Sequence, residues 1–409
     1  MRERHDTVVI GGGQAGLAMS HYLREQSREH IILERQRVAE RWRSERWDSL
    51  YFQFPNWSLQ LPGYVYKGGQ PDAFAHHVEV TRFIENYALF IDAPVRCGTD
   101  VVSLERDPTG RFIISTRDAI IETSRVVIAT GPFQRPSLPA LTPSLPVDVC
   151  QLHASQYFNP EQLPTGAVLV VGAGSSGCQI AEELYRRGRT VYLSVSRHRR
   201  APRRYRGRDL LWWLFAMGRF DTTIDTLPGR KIPPPLLLTG VDGGRDVDLK
   251  QFAANGVVLL GKFQGGANGK LAFDTDLEET LASADETAAE FMRAVDQHVR
   301  ATGTETTELD STKQIHHTPM DRIRPMPFLD LKAANIASVI WCTGYKFDWD
   351  WVRIAVFDEY GAPLQQRGVT PCPGAYFLGL HWMHKFKSGT LFGVGEDAAY
   401  IAQHMAATA

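Results

Sequence analysis

The first residues able to do chemistry are three glycines spaced as Gly11-x-Gly13-x-x-Gly16. Glycines at this spacing allow a tight turn, close approach of a pyrophosphate to the backbone, and tight packing of a helix on a strand. Glu34 follows Gly11 by 23 residues and closes the next strand, where a carboxylate can accept hydrogen bonds from both ribose hydroxyls. Together they predict an FAD site, and the alternative is a glycine turn that serves packing alone.

A second set of glycines has the same spacing, Gly172-x-Gly174-x-x-Gly177, but its second strand ends differently. That strand runs into Ser196 and Arg197 and offers no carboxylate at the position that corresponds to Glu34. A hydroxyl and a guanidinium can hold a ribose 2'-phosphate, which a carboxylate would repel. The pattern favours NADPH over NADH, and the alternative is a solvated basic turn.

Two dinucleotide sites with unlike ribose ligands indicate hydride transfer from a nicotinamide to a flavin. The five cysteines lack the close spacing of a disulfide reductase pair, a zinc site or an iron–sulfur site. The histidine pairs are interpreted as ordinary histidines rather than ligands; they are His76-His77, His316-His317 and His381 with His384. The sequence therefore predicts FAD and NADPH as cofactors and no metal.

Each glycine set must be positioned by a strand before it and a helix after it. The β-branched run Thr7 to Ile10 and the buried strand at Ile31 to Leu33 complete one βαβ unit, and Val168 to Val195 repeats the order. We expect an α/β fold with two dinucleotide-binding, Rossmann-like domains, the NADPH domain inserted into the FAD domain. The predicted limits are 1–160 for the first part of the FAD domain, 161–335 for the NADPH domain, and 336–409 for the returning segment.

The overall composition limits the class of protein and its expected location in the cell. A chain of 409 residues with a net charge of −1 is large enough for two domains and gives no global sign of nucleic-acid binding. The first glycine set leaves no room for a signal peptide, and the longest apolar run, Leu210 to Met217, is too short to cross a bilayer. We expect a cytoplasmic protein with reduced cysteines. The apolar run is interpreted as core, with a pocket lid and a membrane or partner contact as alternatives.

Further motifs resemble the flavin-containing monooxygenases. These are the turns Ala129-Thr130-Gly131 and Cys342-Thr343-Gly344-Tyr345, together with His153 to Tyr157 before the second glycine set. The stretches Trp42 to Gly63 and Gly379 to Ala399 resemble a bacterial subgroup described as cation-transport-associated flavoproteins. Val147 and Val149 stand where the family motif has Phe and Gly, and this is a departure from the family pattern.

The resemblance implies an activity. NADPH would reduce FAD, oxygen would add to the flavin as a C4a-hydroperoxide, and one oxygen atom would enter a small organic substrate. N- or S-oxygenation or hydroxylation is favoured, and Baeyer–Villiger insertion is the other outcome in the family. The partners are then the substrate and O2, without nucleic acid or a membrane span, and a homodimer is compatible with this. Two alternatives are an NADPH oxidase or electron-transfer reductase without oxygen insertion, and a non-catalytic flavoprotein partner of a transport or regulatory system.

The resemblance also implies site residues. Asn56 falls where related enzymes place an asparagine near the flavin and nicotinamide, and its alternative is a turn-forming residue after Pro55. The residues expected to bind cofactor are Gly11, Gly13, Gln14, Ala15, Gly16, Glu34, Arg35, Trp42, Trp47, Thr130, Gly131, Gly172, Gly174, Ser175, Ser176, Gly177, Ser196, Arg197, Gly344 and Gly379.

Overall fold

The computed structural model describes residues 2–140, 145–307 and 323–408. In this part of the chain the strands are β1 (Arg2–Ile10), β2 (His30–Leu33), β3 (Gln60–Leu61), β4 (Tyr64–Val65), β5 (Val95–Arg96), β6 (Val101–Arg106), β7 (Phe112–Thr116), β8 (Ile120–Ile128), β9 (Arg135–Pro136), β10 (Cys150–His153), β11 (Ala167–Val171), β12 (Val191–Ser194), β13 (Arg204–Tyr205), β14 (Arg208–Asp209), β15 (Val258–Leu260), β16 (Phe263–Ala267), β17 (Lys270–Phe273), β18 (Phe328–Asp330), β19 (Ile336–Trp341), β20 (Tyr345–Lys346) and β21 (Ala375–Phe377). The α-helices are α1 (Gln14–Glu25), α2 (Glu40–Ser44), α3 (His77–Phe90), α4 (Ser175–Arg186), α5 (Leu210–Ala216), α6 (Leu249–Ala254), α7 (Leu277–Thr302) and α8 (Val394–Ala407).

The first sheet has seven strands in the order β5-β2-β1-β8-β7-β6, with β21 also paired to β8. Its central strands β1, β2 and β8 are parallel, and β6 and β7 form an antiparallel extension. The first half of β8 pairs with β7, and its last residues, Val126 to Ile128, pair with β21 in parallel. The returning segment therefore supplies a strand to the sheet that β1 begins.

The second sheet has five parallel strands in the order β10-β19-β11-β12-β15. All five residues of β11 are buried, as expected for a central parallel strand that is covered on both faces. The turn after β11 leads directly into α4. The predicted α/β fold with two dinucleotide-binding domains, the second inserted into the first, is confirmed.

We call the first sheet with its helices the first unit and the second sheet with its helices the second unit. The chain crosses between these units twice, after β8 and after β19. The two crossing segments pair with each other as β9 and β20, with Tyr345 opposite Pro136 and Lys346 opposite Arg135. The predicted domain limits at 160 and 335 stay a prediction. Because β10 and β19 both pair within the second sheet, we propose that the second unit includes both strands.

Two segments that the sequence singles out have different ends in the structure. Amphipathic spacing from Ser283 to Ala301 predicts a long helix, and the structure has α7, Leu277–Thr302, which begins earlier with Glu278 and Glu279 in its first turn. Acidic side chains there interact favourably with the helix dipole. The apolar run at Leu210 becomes α5, in which Leu210, Leu211 and Trp213 are buried. Within the described residues, no helix is both long and apolar enough to span a bilayer.

Candidate dinucleotide sites

Two glycines of the first turn are required by packing. Gly11 has φ +113°, and a Cβ on it would lie 2.6 Å from the Ala129 carbonyl oxygen. A Cβ on Gly16 would lie 1.9 Å from the carbonyl oxygen of Gly11. These contacts bring the end of β8 and the first turn of α1 against the end of β1.

Gly13 differs, because neither packing nor backbone conformation requires a glycine there. Its φ is −88°, and a Cβ on it would meet no described atom within 4 Å. Gly13 is the N-cap of α1, and no side chain caps that helix, so the first-turn N–H groups have no acceptor within the helix. Free N–H groups beside an open backbone face suit an anionic pyrophosphate.

The Glu34 carboxylate is fixed beside this turn. One oxygen, Oε2, accepts from the Gly12 N–H at 2.7 Å, and the other, Oε1, accepts from the Gln36 N–H at 2.9 Å. A carboxylate oxygen can accept more than one hydrogen bond. Both oxygens therefore retain capacity for ribose hydroxyls, and Arg35 next to it is exposed.

The second turn repeats this geometry. A Cβ on Gly172, at φ +105°, would lie 2.5 Å from the Cys342 carbonyl oxygen, and one on Gly177 would lie 1.8 Å from the Gly172 carbonyl oxygen. A Cβ on Gly174 would meet no described atom within 4 Å, and no side chain caps α4. The second turn thus has the same open N-cap glycine as the first.

The segment around Leu238, which the sequence analysis did not predict, contacts the start of α4. The Ser175 hydroxyl accepts from the Leu238 N–H at 3.1 Å, and the Gln179 amide donates to the Leu238 carbonyl at 2.9 Å. Ser176 follows on the same turn and is half-buried. The only sequence signal for this segment is the extended backbone favoured by the prolines at 233–235.

The arginines after β12 are mostly committed to protein contacts. Arg200 pairs with Asp248 and Asp285, and Arg203 forms a buried pair with Asp209. Arg197 is exposed next to the exposed Ser196, and no described residue forms an ion pair or hydrogen bond with its guanidinium. Both predicted 2'-phosphate ligands, Ser196 and Arg197, are therefore accessible at the end of β12.

Side-chain hydrogen bonds hold each crossing segment in place. The Gln134 amide donates to the Thr130 hydroxyl at 3.0 Å and to the Gly131 carbonyl at 2.9 Å. His153 Nε2 lies 3.0 Å from the Gly344 carbonyl oxygen. Burial lowers the pKa of His153, with the Gly344 carbonyl opposing this effect. A neutral imidazole that donates from Nε2 therefore ties β10 to the second crossing.

Aromatic side chains of the two crossing segments pack on the first unit. The Phe133 ring is 5.2 Å from that of Tyr345 and 5.3 Å from that of His381, centroid to centroid. The Arg46 guanidinium lies 5.1 Å from the centre of the Trp42 ring. Desolvation by the surrounding protein lowers the pKa of His381. These ring contacts join both crossing segments to the returning part of the first unit.

The remaining predicted site residues lie in different parts of the structure. Asn56 is 5% exposed; its amide nitrogen donates to the Gln70 carbonyl at 3.0 Å, and its Oδ1 has no partner among the described residues. Trp47 packs into the hydrophobic core of the second unit, and its role toward a cofactor stays a prediction. A Cβ on Gly379 would lie 2.5 Å from the Cβ of Ala15, and Gln14 donates to the Gly389 carbonyl at 2.8 Å.

The apolar stretch of α5 and the segment after it pack on the first unit. The rings of Trp57 and Phe215 are 6.2 Å apart, and those of Phe220 and Phe386 are stacked at 5.4 Å. The Ile224 N–H donates to the His384 carbonyl at 3.0 Å. We call these four rings the aromatic cluster. Phe215 of α5 thus contacts Trp57, the residue after Asn56, and the buried residues of the stretch belong to a hydrophobic core.

All five cysteines are free thiols, and burial raises the pKa of Cys342 to about 12. Within 2–140, 145–307 and 323–408, no three His, Cys, Asp or Glu side chains are arranged to hold a metal ion. His316 and His317 lie outside the described residues.

Comparison with known proteins gives the family. Residues 8–211 match the model for pyridine nucleotide-disulphide oxidoreductases. An oxidoreductase described as CzcO-like, from Geobacillus kaustophilus, is 32% identical over 399 residues and 97% of each chain. The probable indole-3-pyruvate monooxygenase YUCCA1 of Arabidopsis thaliana is 29% identical over 195 residues, 47% of each chain. The flavin-containing monooxygenase from Stenotrophomonas maltophilia has the same fold, with a TM-score of 0.67, 18% identity and 99% of each chain covered.

Proposed function

The chain belongs to the CzcO-like oxidoreductases, a subgroup of the flavin monooxygenase family, and from this premise we propose that it is an NADPH-dependent FAD monooxygenase. It would insert one oxygen atom into a small organic substrate, by N- or S-oxygenation or hydroxylation in preference to Baeyer–Villiger insertion. Bound FAD would supply the redox chemistry by taking a hydride from NADPH and reacting with O2.

One observation carries this proposal. Each unit has an N-cap glycine, Gly13 in the first and Gly174 in the second, that the protein itself does not require. In both turns the flanking glycines are explained by contacts closer than 3 Å with neighbouring backbone. A glycine that neither packing nor a positive φ requires is explained by a ligand that approaches the backbone closely. Two such positions support two bound dinucleotides.

The first unit would hold FAD. The N–H groups after Gly13 would bind its diphosphate, and Glu34, oriented by Gly12 and Gln36, would accept from its ribose. Thr130, Gly131 and Gly379 border the same turn from the end of β8 and from the returning segment. None of these residues needs to exchange a proton, so their contribution is to bind and orient the flavin.

The second unit would hold NADPH. The N–H groups after Gly174 would bind its diphosphate, and Ser196 and Arg197 would bind its 2'-phosphate. Gly344, tied to His153, fixes the second crossing beside this site. This assignment gives each unit one nucleotide and directs hydride from the second unit to the first.

Asn56 and the aromatic cluster would form the substrate side. The Asn56 amide nitrogen is committed to Gln70, which leaves Oδ1 as the atom without a partner. In this conformation Asn56 would serve as a hydrogen-bond acceptor, for example from a carboxamide N–H. The aromatic rings beside it exclude water from the reacting region.

Replacement of Arg197 by alanine tests the choice of nucleotide. We expect the KM for NADPH to rise about 10- to 100-fold, since a hydrogen bond to a charged group contributes roughly 1.5 to 3 kcal/mol. The KM for NADH should change little because NADH has no 2'-phosphate. Arg219→Ala removes one cationic side chain from another segment of the second unit and is the matched control. Equal losses for NADPH and NADH in Arg197→Ala would contradict the assignment.

The oxygenase activity is tested with isotopically labelled oxygen. Flavin-loaded protein, NADPH and a panel of sulfides, amines, hydroxylamines and ketones are incubated under labelled O2. We expect at least one substrate to accelerate NADPH consumption and to gain one labelled oxygen atom. NADPH consumption that yields only hydrogen peroxide with every class would favour the oxidase alternative. Failure of NADPH to bleach the bound flavin would favour a non-catalytic flavoprotein.

A further inference from the structure

Residues 218–235 connect α5 to the segment around Leu238, and we call them the strap. The strap contains three single-turn 3-10 helices but no α-helix and no strand, and Phe220 is its only buried residue. Gly218, at φ +67°, begins it, and the prolines at 233–235 end it. Connections of this length without regular structure are uncommon in compact domains and often serve as lids. Because so little of it is buried, the strap can move while both sheets stay folded.

The strap meets the returning segment of the first unit through a short antiparallel pairing. The Ile224 N–H donates to the His384 carbonyl at 3.0 Å, and the Phe386 N–H donates to the Thr222 carbonyl at 2.9 Å. In the described part of the chain, no other backbone hydrogen bond joins the strap to the first unit. Only two backbone hydrogen bonds must therefore break for the strap to lift.

A cluster of four charges closes the same contact. Asp221 of the strap lies 2.8 Å from Lys385 Nζ and 2.9 Å from Lys387 Nζ. Both lysines also pair with Glu396 in the first turn of α8. Charges that form a network hold a contact better than isolated surface pairs do. Asp221 is the one member of this cluster that the strap supplies, so it acts as the latch.

The surface on which the strap rests is anchored within the first unit. The Ser388 hydroxyl accepts from the N–H groups of His384 at 3.2 Å and of Lys385 at 2.9 Å. It donates in turn to the carboxylate of Asp397, which is buried on α8. Arg367 also pairs with Asp397, at 3.4 Å. The returning segment is thus fixed, and the strap is the part of the contact that is free to move.

Phe220 is the side chain that the strap contributes to the aromatic cluster. Its ring stacks on Phe386 at 5.4 Å and meets Phe392 edge-on at 4.9 Å. Trp57 packs against the same buried group. The Trp57 Nε1 and the Oδ1 of the preceding Asn56 are buried without a hydrogen-bond partner among the described residues. Such atoms are costly to leave unpaired, and a ligand that reaches them would satisfy them.

We propose that the strap is a lid, which lifts from the returning segment to admit an apolar substrate to the aromatic cluster and then closes over it. Gly218 and the prolines at 233–235 are the hinges, and Asp221 is the latch. Closure returns Phe220 to the cluster and excludes water from the reacting region. The inference rests on the proposed function in taking the aromatic cluster as the substrate side.

Trypsin cleavage measures how often the strap opens, because the strap carries the exposed residues Arg219, Arg230 and Lys231. Asp221→Asn should speed cleavage within the strap about 3- to 5-fold, as expected for a lost link in a charge network. Asp225→Asn is the matched control, since Asp225 pairs with Arg230 inside the strap itself. It should be cleaved at the wild-type rate. Equal cleavage of Asp221→Asn and the wild type would contradict the latch.

A reversible lock tests whether opening gives access to the aromatic cluster. Thr223 and Lys385 face each other between the two backbone hydrogen bonds, where Cα atoms of such a pair lie about 4.5 Å apart, within disulfide range. In Thr223→Cys/Lys385→Cys, oxidation should close the strap and reduction should release it. Lys387 still joins Asp221 to Glu396 in this variant.

The readout is the fluorescence of 1-anilinonaphthalene-8-sulfonate, a dye that binds accessible apolar surface, added to the flavin-loaded protein. The reduced double variant should bind more dye than the oxidised one and should be cleaved faster by trypsin. The wild type under the same oxidant and reductant controls for the native thiols, including the exposed Cys97. Equal dye binding by the oxidised and reduced forms, or no dye binding by either, would overturn the lid.

Turnover separates the lid from the proposed function. With a substrate that the wild type oxygenates, the oxidised double variant should react about 10-fold more slowly or worse, while NADPH still reduces its flavin. Equal turnover in the oxidised and reduced forms would show that the strap does not control substrate entry. If the wild type oxygenates no substrate, the proposed function fails, and the trypsin and dye measurements still decide whether the strap is a lid.

Discussion

Replacement of Gly13 by valine should yield a folded protein that purifies without flavin. The backbone at Gly13 is extended, with φ −88° and ψ −169°, which valine adopts readily. A Cβ there contacts no described atom within 4 Å, so packing does not exclude a β-carbon at this position. The added methyl groups would occupy the face of the turn where a diphosphate approaches. We expect FAD affinity to fall roughly 100-fold or more, which corresponds to about 2.8 kcal/mol, measured from flavin absorbance and by titration.

A stability measurement separates lost binding from lost folding. Wild-type protein stripped of flavin and the Gly13→Val variant should melt at the same temperature, because each lacks only the stabilisation that a bound ligand confers. Gly16→Ala is the contrasting control. Its single methyl group would be forced to within 1.9 Å of the Gly11 carbonyl oxygen, so it should lower the melting temperature of the stripped protein. Equal destabilisation by both variants would contradict the distinction between Gly13 and Gly16.

Replacement of Gly174 by valine should leave FAD bound and abolish its reduction by NADPH. Gly174 has φ −72° and ψ 178°, again compatible with valine, and no described atom lies near its Cβ position. Anaerobic mixing with NADPH, followed by flavin absorbance, is the measurement. We expect the reduction rate at a fixed low NADPH concentration to fall roughly 100-fold or more, matching a loss of about 2.8 kcal/mol in binding.

Dithionite provides the control for this variant, because it reduces bound flavin without a nucleotide site. Gly174→Val should be bleached by dithionite as fully as the wild type, with unchanged flavin content. A variant that is still reduced by NADPH at the wild-type rate would remove the second turn from the electron path. Loss of FAD from this variant would instead mean that the two sites do not act separately.

The glycine turns could be predicted from sequence because their determinants are local. The spacing of three glycines and the position of Glu34 lie within one βαβ unit, and the structure places Glu34 against Gly12 as the spacing implies. The spacing does not reveal that, of the three glycines in each motif, only the middle one has no neighbouring atom at its Cβ position. That distinction depends on contacts with Ala129 and Cys342, which lie far from the turns in sequence.

It was harder to predict which arginines of the second site remain free to bind a phosphate, for the same reason. Seven arginines lie between Arg197 and Arg208, and sequence alone does not show which of them are paired. Their partners include Asp248, Asp285 and Asp296, which only the folded chain brings close. The aromatic cluster likewise joins Phe220 to Phe386.

The late strand β21 also sets the order in which the two units can mature during synthesis. Its partner β8 ends at Ile128, whereas β21 begins at Ala375, so the ribosome must complete the entire second unit before the first sheet is finished. Folding of that unit brings the ends of the intervening chain together and reduces the loop-closure entropy that β21 must overcome. We therefore expect the inserted unit to fold first on the nascent chain and the flavin unit to close around it last.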